Sequence, residues 1–102
     1  LLLPYVMEFN YLANLEKFCN VARLMGEPTE GLSLRDGARK ALEAIKALVE
    51  DVGIPSSLQE VGVDPSAASE LADAASQVTR LLANNPRRIS RDEIQAIYER
   101  AM

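Results

Sequence analysis

The chain has few side chains that could carry out chemistry by themselves. It contains no histidine and a single cysteine, Cys19. Histidine is the commonest general base and the commonest metal ligand, and one thiolate cannot form a metal cage. A cysteine nucleophile also needs a base, and the position of Cys19 beside Phe18 and Ala22 favours a small packed side chain. We therefore do not expect a complete metalloenzyme or triad hydrolase within these residues.

Two other groups of side chains are candidate sites. Carboxylates at Asp36, Glu43, Glu50 and Asp51 could collect a cation, but they lie at helix ends or alternate with basic residues, which favours a solvated surface. The segment Asn84–Arg88 places two amides and two guanidinium groups in a loop, where they could bind an anion or line a cleft. A tight turn explains the same residues, because asparagine tolerates unusual backbone conformations and proline stops a helix. Both interpretations of this loop stay open.

Composition and charge define the class of protein. The 102 residues are 48% hydrophobic and 25% charged, with a net charge of -4. This balance is typical of one folded domain and lacks the basic surface by which proteins bind nucleic acid. The most apolar run, Leu1–Met7, is shorter than a bilayer span and is followed by Glu8, so we predict no membrane segment. A secretory signal would need basic residues ahead of that run, and a single cysteine is in keeping with a cytoplasmic protein.

Glycine, proline and capping residues divide the sequence into helical segments. We predict helices near residues 4–11, 15–25, 33–52 and 65–82, a helical turn at 56–61, and a last helix that begins at residue 90. Ser33 is the expected N-cap of the longest helix. Ser90 and Glu93 form a capping box at the start of the last helix, and Ile89 with Ile94 forms a hydrophobic staple there.

The apolar residues predict how these helices pack. The longest helix carries a stripe of apolar residues, namely Ala38, Ala41, Leu42, Ile45, Leu48, Val49 and Val52. The helix at 65–82 is expected to bury Leu71, Ala75, Val78 and Leu82. No segment shows the alternation of a half-buried strand, and the linkers are short. The sequence therefore predicts an all-α fold, a compact multi-helix bundle in a single domain over residues 1–102.

The order of several short segments is similar to a known family. These segments are Leu3–Asn10, Ala22–Gly26, Val52–Pro55 with Leu58, Val61–Val63, Asn85–Arg87, and Asp92–Ile94 with Ile97 and Tyr98. Together they span essentially the whole chain, and they resemble the C-terminal part of the iron-containing (group III) alcohol dehydrogenases. The resemblance implies a helical domain like the C-terminal domain of dehydroquinate synthase.

The resemblance also implies a longer parent enzyme, of which this chain would be the C-terminal part. In that family an N-terminal α/β domain binds NAD or NADP, and a metal, usually iron and sometimes zinc, lies in the cleft between the domains. There the metal would polarise the oxygen of a small alcohol or aldehyde while hydride passes to or from the nicotinamide. The histidine ligands normally come shortly before the segment that matches Leu2–Pro4, and no position of this chain matches a family metal ligand.

We therefore expect no catalytic, cofactor-binding or metal-binding residue in this chain and no catalysis by the chain alone. In the family the end of the penultimate long helix approaches the substrate side of the cleft, which makes Leu81, Leu82 and Asn85 the candidate cleft residues. The expected partner is the N-terminal cofactor domain, and we expect self-association through Leu1–Phe9. The alternative is a stand-alone helical interaction module, without catalysis, that docks on a partner through the same Leu1–Phe9 segment.

Overall fold

The helices of this protein begin and end largely where its capping residues stand. The computed structural model describes residues 1–102. Its helices are α1 (Leu3–Asn10), α2 (Leu15–Leu24), α3 (Leu34–Asp51), α4 (Ala68–Ser76), α5 (Thr79–Leu82) and α6 (Arg91–Ala101), with 3₁₀ turns at Tyr11–Ala13, Gln59–Val61 and Pro65–Ala67. There is no strand, so the predicted all-α fold is confirmed. None of the helices is both long and apolar enough to cross a membrane.

Local capping explains where α2, α3 and α6 start. The side chains of Asn14 and Ser33 accept hydrogen bonds from backbone amides in the first turns of α2 and α3. At α6 the capping box is complete, because Ser90 accepts from the amide of Glu93 and the Glu93 carboxylate accepts from the amide of Ser90. These bonds satisfy amides that a helix start leaves without a partner. Gly53 lies just after the C-terminal end of α3, and its left-handed backbone conformation, at φ 74°, stops the helix from continuing.

Helices α2 and α3 form the main core together with α1. Its buried residues are Met7, Tyr11, Ala22, Ala38, Ala41 and Leu42. Many of these are alanines, which let α2 and α3 approach closely. The approach is close at Gly37, where an added Cβ would lie 2.7 Å from the Sγ of buried Cys19. Gly37 was not predicted from the sequence to be a contact residue. Cys19 is buried, as predicted for a small core residue.

The apolar stripe of α3 is buried only in its first half. Ala38 and Leu42 are buried, whereas Leu48 is 48% and Val52 is 60% exposed. The apolar stripe predicted for α3 therefore packs against the rest of the protein along its N-terminal half and is largely exposed at its C-terminal end. The reason is length, since α3 has 18 residues and its partner α2 has 10, so that α3 is longer than α2 by about two turns.

The predicted single helix at 65–82 is also wrong. It is divided into a 3₁₀ turn, α4 and α5, and Val78 between α4 and α5 has non-helical backbone angles of φ −84° and ψ 60°. Val78 was expected to be buried but is 44% exposed. Val78 and Thr79 are β-branched and have low helix propensity, and the hydroxyl of Ser76 donates to the carbonyl of Asp73, competing with the helix ladder.

Helices α4 and α6 form a second packed pair. Ala68 and Ala72 of α4 and Ile94, Ile97 and Ala101 of α6 are buried there. The amide of Leu58, which is also buried, donates to the carbonyl of Ala101 at 2.7 Å and ties the segment after α3 to the end of α6. Helix α1 packs against both α3 and α6 and so connects the two helix pairs. The result is an elongated bundle of 43 × 30 × 18 Å.

Candidate functional site

Two of the three predicted cleft residues line a small apolar cavity where α1, α4, α5 and α6 meet. The cavity has a volume of about 170 Å³ and is lined by Leu2, Val6, Phe9, Asn10, Ala75, Leu82, Asn85, Ile89, Ile94, Ile97 and Tyr98. Leu82 and Asn85 are therefore brought together, as is the predicted staple of Ile89 and Ile94. Leu81 is not part of the lining and is 60% exposed to solvent.

The polar wall of this cavity is a pair of asparagines. The Nδ2 of Asn10 donates to the Oδ1 of Asn85 at 2.7 Å, and the Nδ2 of Asn85 donates back to the Oδ1 of Asn10 at 2.9 Å. Asn10 is only 5% exposed, so its amide needs this partner. Asn85 was predicted from the sequence as a cleft residue, whereas Asn10 was not. A signal was present, because Asn10 lies three residues after buried Met7 and thus on the same face of α1.

Arg87 makes a second contact between the loop and α1. Its Nη1 donates to the carbonyl of Phe9 at 2.9 Å, and its guanidinium lies 3.9 Å from the centre of the Phe9 ring. The Phe9 carbonyl lies in the last turn of α1, where carbonyls have no partner within the helix. Arg87 Nη2 also lies 3.9 Å from Glu93 Oε2, whereas neighbouring Arg88 makes no hydrogen bond or ion pair. We call Phe9, Asn10, Asn85, Arg87 and Glu93 the joint.

The charge on Glu93 is held in place by local hydrogen bonds. The backbone amide of Ser90 lowers the pKa of the Glu93 carboxyl most, followed by the Ser90 side chain and the positive charge of Arg87. Each of these interactions favours the ionised form. The carboxylate therefore remains available at neutral pH both to cap α6 and to face Arg87.

The residues of this chain do not form a metal site. No group of three or more His, Cys, Asp or Glu side chains lies together in the structure. Iron and zinc sites in enzymes use three or more such ligands, usually with histidine among them. The donor set for the metal that the resemblance implies is therefore not supplied by these 102 residues.

The Leu1–Phe9 segment is partly covered by the rest of the chain. Pro4 and Met7 are buried, while Leu3 is 53% exposed. On its other side lies an open groove of about 670 Å³ between α1 and the end of α3. Across this groove the hydroxyl of Tyr5 donates to the carbonyl of Ser56 at 2.7 Å. Self-association or partner binding through this segment stays a prediction.

Comparison with known proteins decides the family. The model for the C-terminal part of the Fe-containing alcohol dehydrogenase family matches residues 1–102. The chain belongs to this family. The match confirms the resemblance seen in the short segments, and it identifies the chain as corresponding to the C-terminal domain of the iron-containing alcohol dehydrogenases.

Similar proteins and structures agree with this assignment. The chain is 42% identical to 1,3-propanediol dehydrogenase of Klebsiella pneumoniae over 100 residues, covering 98% of this chain and 26% of that protein. It is 40% identical to lactaldehyde reductase of Escherichia coli (strain K12), covering 99% of this chain and 26% of that protein. It thus spans about a quarter of the length of these relatives.

The fold is shared with solved structures as well. The structure of an alcohol dehydrogenase from Oenococcus oeni superposes with a TM-score of 0.91 at 40% identity, covering 99% of this chain and 26% of that chain. The crystal structure of a 1,3-propanediol oxidoreductase superposes with a TM-score of 0.88 at 40% identity, with the same coverage of both chains.

Proposed function

We propose that this chain serves as the C-terminal helical domain of a longer, metal-dependent alcohol dehydrogenase. The enzyme would transfer hydride between a small alcohol or aldehyde and NAD or NADP, in the cytoplasm. The observation that carries the proposal is the match of the whole chain, in sequence and in fold, to the C-terminal quarter of dehydrogenases and reductases of this family.

The chain itself would contribute the substrate side of the cleft rather than the reacting groups. It has no donor set for iron or zinc, so we assign the metal and the nicotinamide cofactor to the remainder of the enzyme. No step of hydride transfer is assigned to a residue of this chain. The N-terminal cofactor domain is the partner that would complete the cleft.

The geometry supports the position of the cleft at α5. Leu2, at the start of α1, and Leu82, in α5, line the same cavity. The family resemblance places the metal ligands shortly before the segment that matches Leu2–Pro4. The start of α1, which would follow those ligands, therefore lies beside α5. Leu81, Leu82 and Asn85 are accordingly our proposed cleft residues.

A chimeric enzyme tests this function. The C-terminal 100 residues of 1,3-propanediol dehydrogenase of Klebsiella pneumoniae would be replaced by this chain, which aligns with them over that length. With Fe²⁺ or Zn²⁺ and with NAD or NADP, we expect the chimera to oxidise 1,3-propanediol, while the 102-residue chain alone and the relative without its C-terminal part do not. A folded chimera without activity under all four conditions would contradict the proposal.

The same chimera tests the position of the cleft. We expect Leu81→Trp to raise KM for 1,3-propanediol on the order of tenfold by narrowing the cleft, with a smaller change in kcat. Leu48→Trp, at a leucine that is also exposed but lies on α3, is the matched control. Equal effects of the two substitutions on KM would contradict the assignment of α5 to the substrate cleft.

A further inference from the structure

Helix α5 has few interactions within itself that would stabilise it. It has four residues, no side-chain cap at its start, and the non-helical Val78 before it. One helical turn is not stable by itself in water. Since Leu81 is 60% exposed, packing of that residue does not fix the helix either. The position of α5 therefore depends on Leu82, which lines the cavity, and on the segments at the two ends of the helix.

The end of α5 is connected directly to the joint. The amide of Asn85 donates to the carbonyl of Leu82 at 3.1 Å, and the Asn85 side chain pairs with Asn10, 75 residues earlier in the chain. Two residues further on, Arg87 reaches the carbonyl and ring of Phe9, 78 residues earlier. Both contacts hold the chain that follows α5 against the last turn of α1.

From these contacts we infer that Asn10, Asn85 and Arg87 are positioning residues, which fix α5 against α1 and thereby set the shape of the substrate cleft. The inference rests on the proposed function for its link to substrate. Asn85, itself a proposed cleft residue, lines the cavity beside Leu82. Asn10 and Arg87 act through the placement of Leu81, Leu82 and Asn85.

The residue types fit this role. Each asparagine amide offers a donor and an acceptor, so two of them can pair reciprocally, whereas an aspartate at either position would set acceptor against acceptor. The planar guanidinium of Arg87 can lie over the Phe9 ring, donate to its carbonyl and face Glu93 at the same time. A lysine ammonium keeps the charge but lacks this planar fork.

Neighbouring residues provide matched controls for a test. The variants are Asn85→Asp and Arg87→Lys, and the controls are Asn84→Asp and Arg88→Lys. Asn84 is exposed and its side chain contacts only the carbonyl of Arg80, at 3.4 Å, while Arg88 has no polar contact. Each control is therefore the same chemical change one residue away from the joint.

The first measurement uses methyl NMR of the 102-residue chain. We expect Asn85→Asp and Arg87→Lys to shift the methyl signals of Leu81 and Leu82, while the signals of Leu42 in the main core stay in place. The unchanged Leu42 signals show that a variant is folded. The two controls should leave all three leucines unchanged. If Arg87→Lys and Arg88→Lys give the same spectra, the joint does not hold α5 and the inference is overturned.

The second measurement uses the chimera described above. We expect Asn85→Asp and Arg87→Lys to lower kcat/KM for 1,3-propanediol by about tenfold or more, mainly through KM, because a displaced wall weakens substrate binding. The controls should remain within about twofold. Shifted leucine signals with unchanged KM would overturn the link to substrate, although the proposed function would stand. An inactive chimera with the unsubstituted chain would overturn both.

Discussion

The two helix pairs of this protein are held together in different ways. In the α2–α3 pair the contact is apolar and close, with alanines on both helices and Gly37 directly against Cys19. Both helices are amphipathic and have side-chain caps at their starts. Interior packing of this kind does not depend on any single polar contact, and it resists small changes of shape.

The α4–α6 pair depends much more on polar contacts. Arg91 of α6 donates through Nε to Asp73 at 2.6 Å and through Nη2 to the carbonyl and hydroxyl of Ser69, and it also contacts Gln95. The helix α4 on which Asp73 and Ser69 lie has only 9 residues and ends at a break.

This difference indicates how the domain divides its tasks. The α2–α3 pair with α1 forms a rigid base, and the candidate cleft residues lie in the region that polar contacts hold in place. Functional segments are commonly drawn from the less stable parts of a protein, positioned by a rigid scaffold. Here the joint is the connection between the two regions, because it ties the loop after α5 to the end of α1.

The largest expected effect tests the close contact in the α2–α3 pair. Gly37→Ala places a Cβ 2.7 Å from Cys19 Sγ, so either the Cys19 side chain must rotate within the core or the two helices must separate. We expect a loss of about 1–3 kcal/mol in the free energy of unfolding, despite the usual gain of roughly 0.5–1 kcal/mol from alanine in a helix. Urea denaturation measures it.

The matched background for this prediction is Cys19→Ala. Without Sγ the nearest remaining atoms to the new methyl group are the Thr29 Cβ at 3.7 Å and the Cβ of residue 19 at 3.8 Å, which are ordinary contacts. Gly37→Ala should then be neutral or stabilising, which gives a large coupling in the double-mutant cycle. Additive effects of the two substitutions would show that this contact does not limit the approach of α2 and α3.

A smaller effect is expected from the polar contacts of the α4–α6 pair. Arg91→Lys keeps the positive charge but cannot bond to Asp73 and Ser69 together, so the melting temperature should fall. Arg100→Lys, on the same helix and without a hydrogen bond, is the control and should have almost no effect. In Arg91→Lys, the protection of backbone amides against hydrogen exchange should fall in α4 and α6 rather than in α3. Equal melting temperatures for the two variants would contradict the contrast between the regions.

The smallest effect concerns pH. The folded protein lowers the pKa of Glu93, chiefly through the Ser90 amide, so the ionised carboxylate adds stability above the unfolded pKa of about 4.3. That contribution is lost as pH falls through the lowered folded pKa. Glu93→Gln keeps a capping box without the charge, so the wild type should be more stable than the variant near neutral pH and the difference should shrink in acid. If the difference in stability between wild type and Glu93→Gln grew as the pH fell, the predicted stabilisation by the ionised carboxylate would be contradicted.

Capping residues were sufficient to predict several helix starts. The capping box at Ser90 and Glu93 and the N-cap at Ser33 are confirmed because the bonds involved join residues only three positions apart. The helix at 65–82 was not predicted correctly, since its apolar spacing suggested continuity while the backbone breaks at Val78. Propensity and packing compete at such a position, and the spacing of apolar residues alone does not decide between them.

The contacts of the candidate site also could not be predicted from local sequence patterns. The loop at Asn85 and Arg87 was recognisable as unusual, and both a cleft and a tight turn were consistent with it. Their contacts with Asn10 and Phe9 span more than seventy residues, and no local pattern specifies them. The same holds for Gly37, whose importance depends on Cys19 of another helix.

The amino-acid sequence by itself determined the helical class, the helix starts at Ser33 and Ser90, the absence of histidine ligands, and the family resemblance. These properties depend on residue types and on spacings of a few positions, over which backbone geometry is fixed. Only the tertiary structure decided which half of the α3 stripe is buried, where the helix at 65–82 breaks, and which partners Asn85 and Arg87 take. Those outcomes depend on helix lengths and on contacts between distant segments, which form only when the chain has folded.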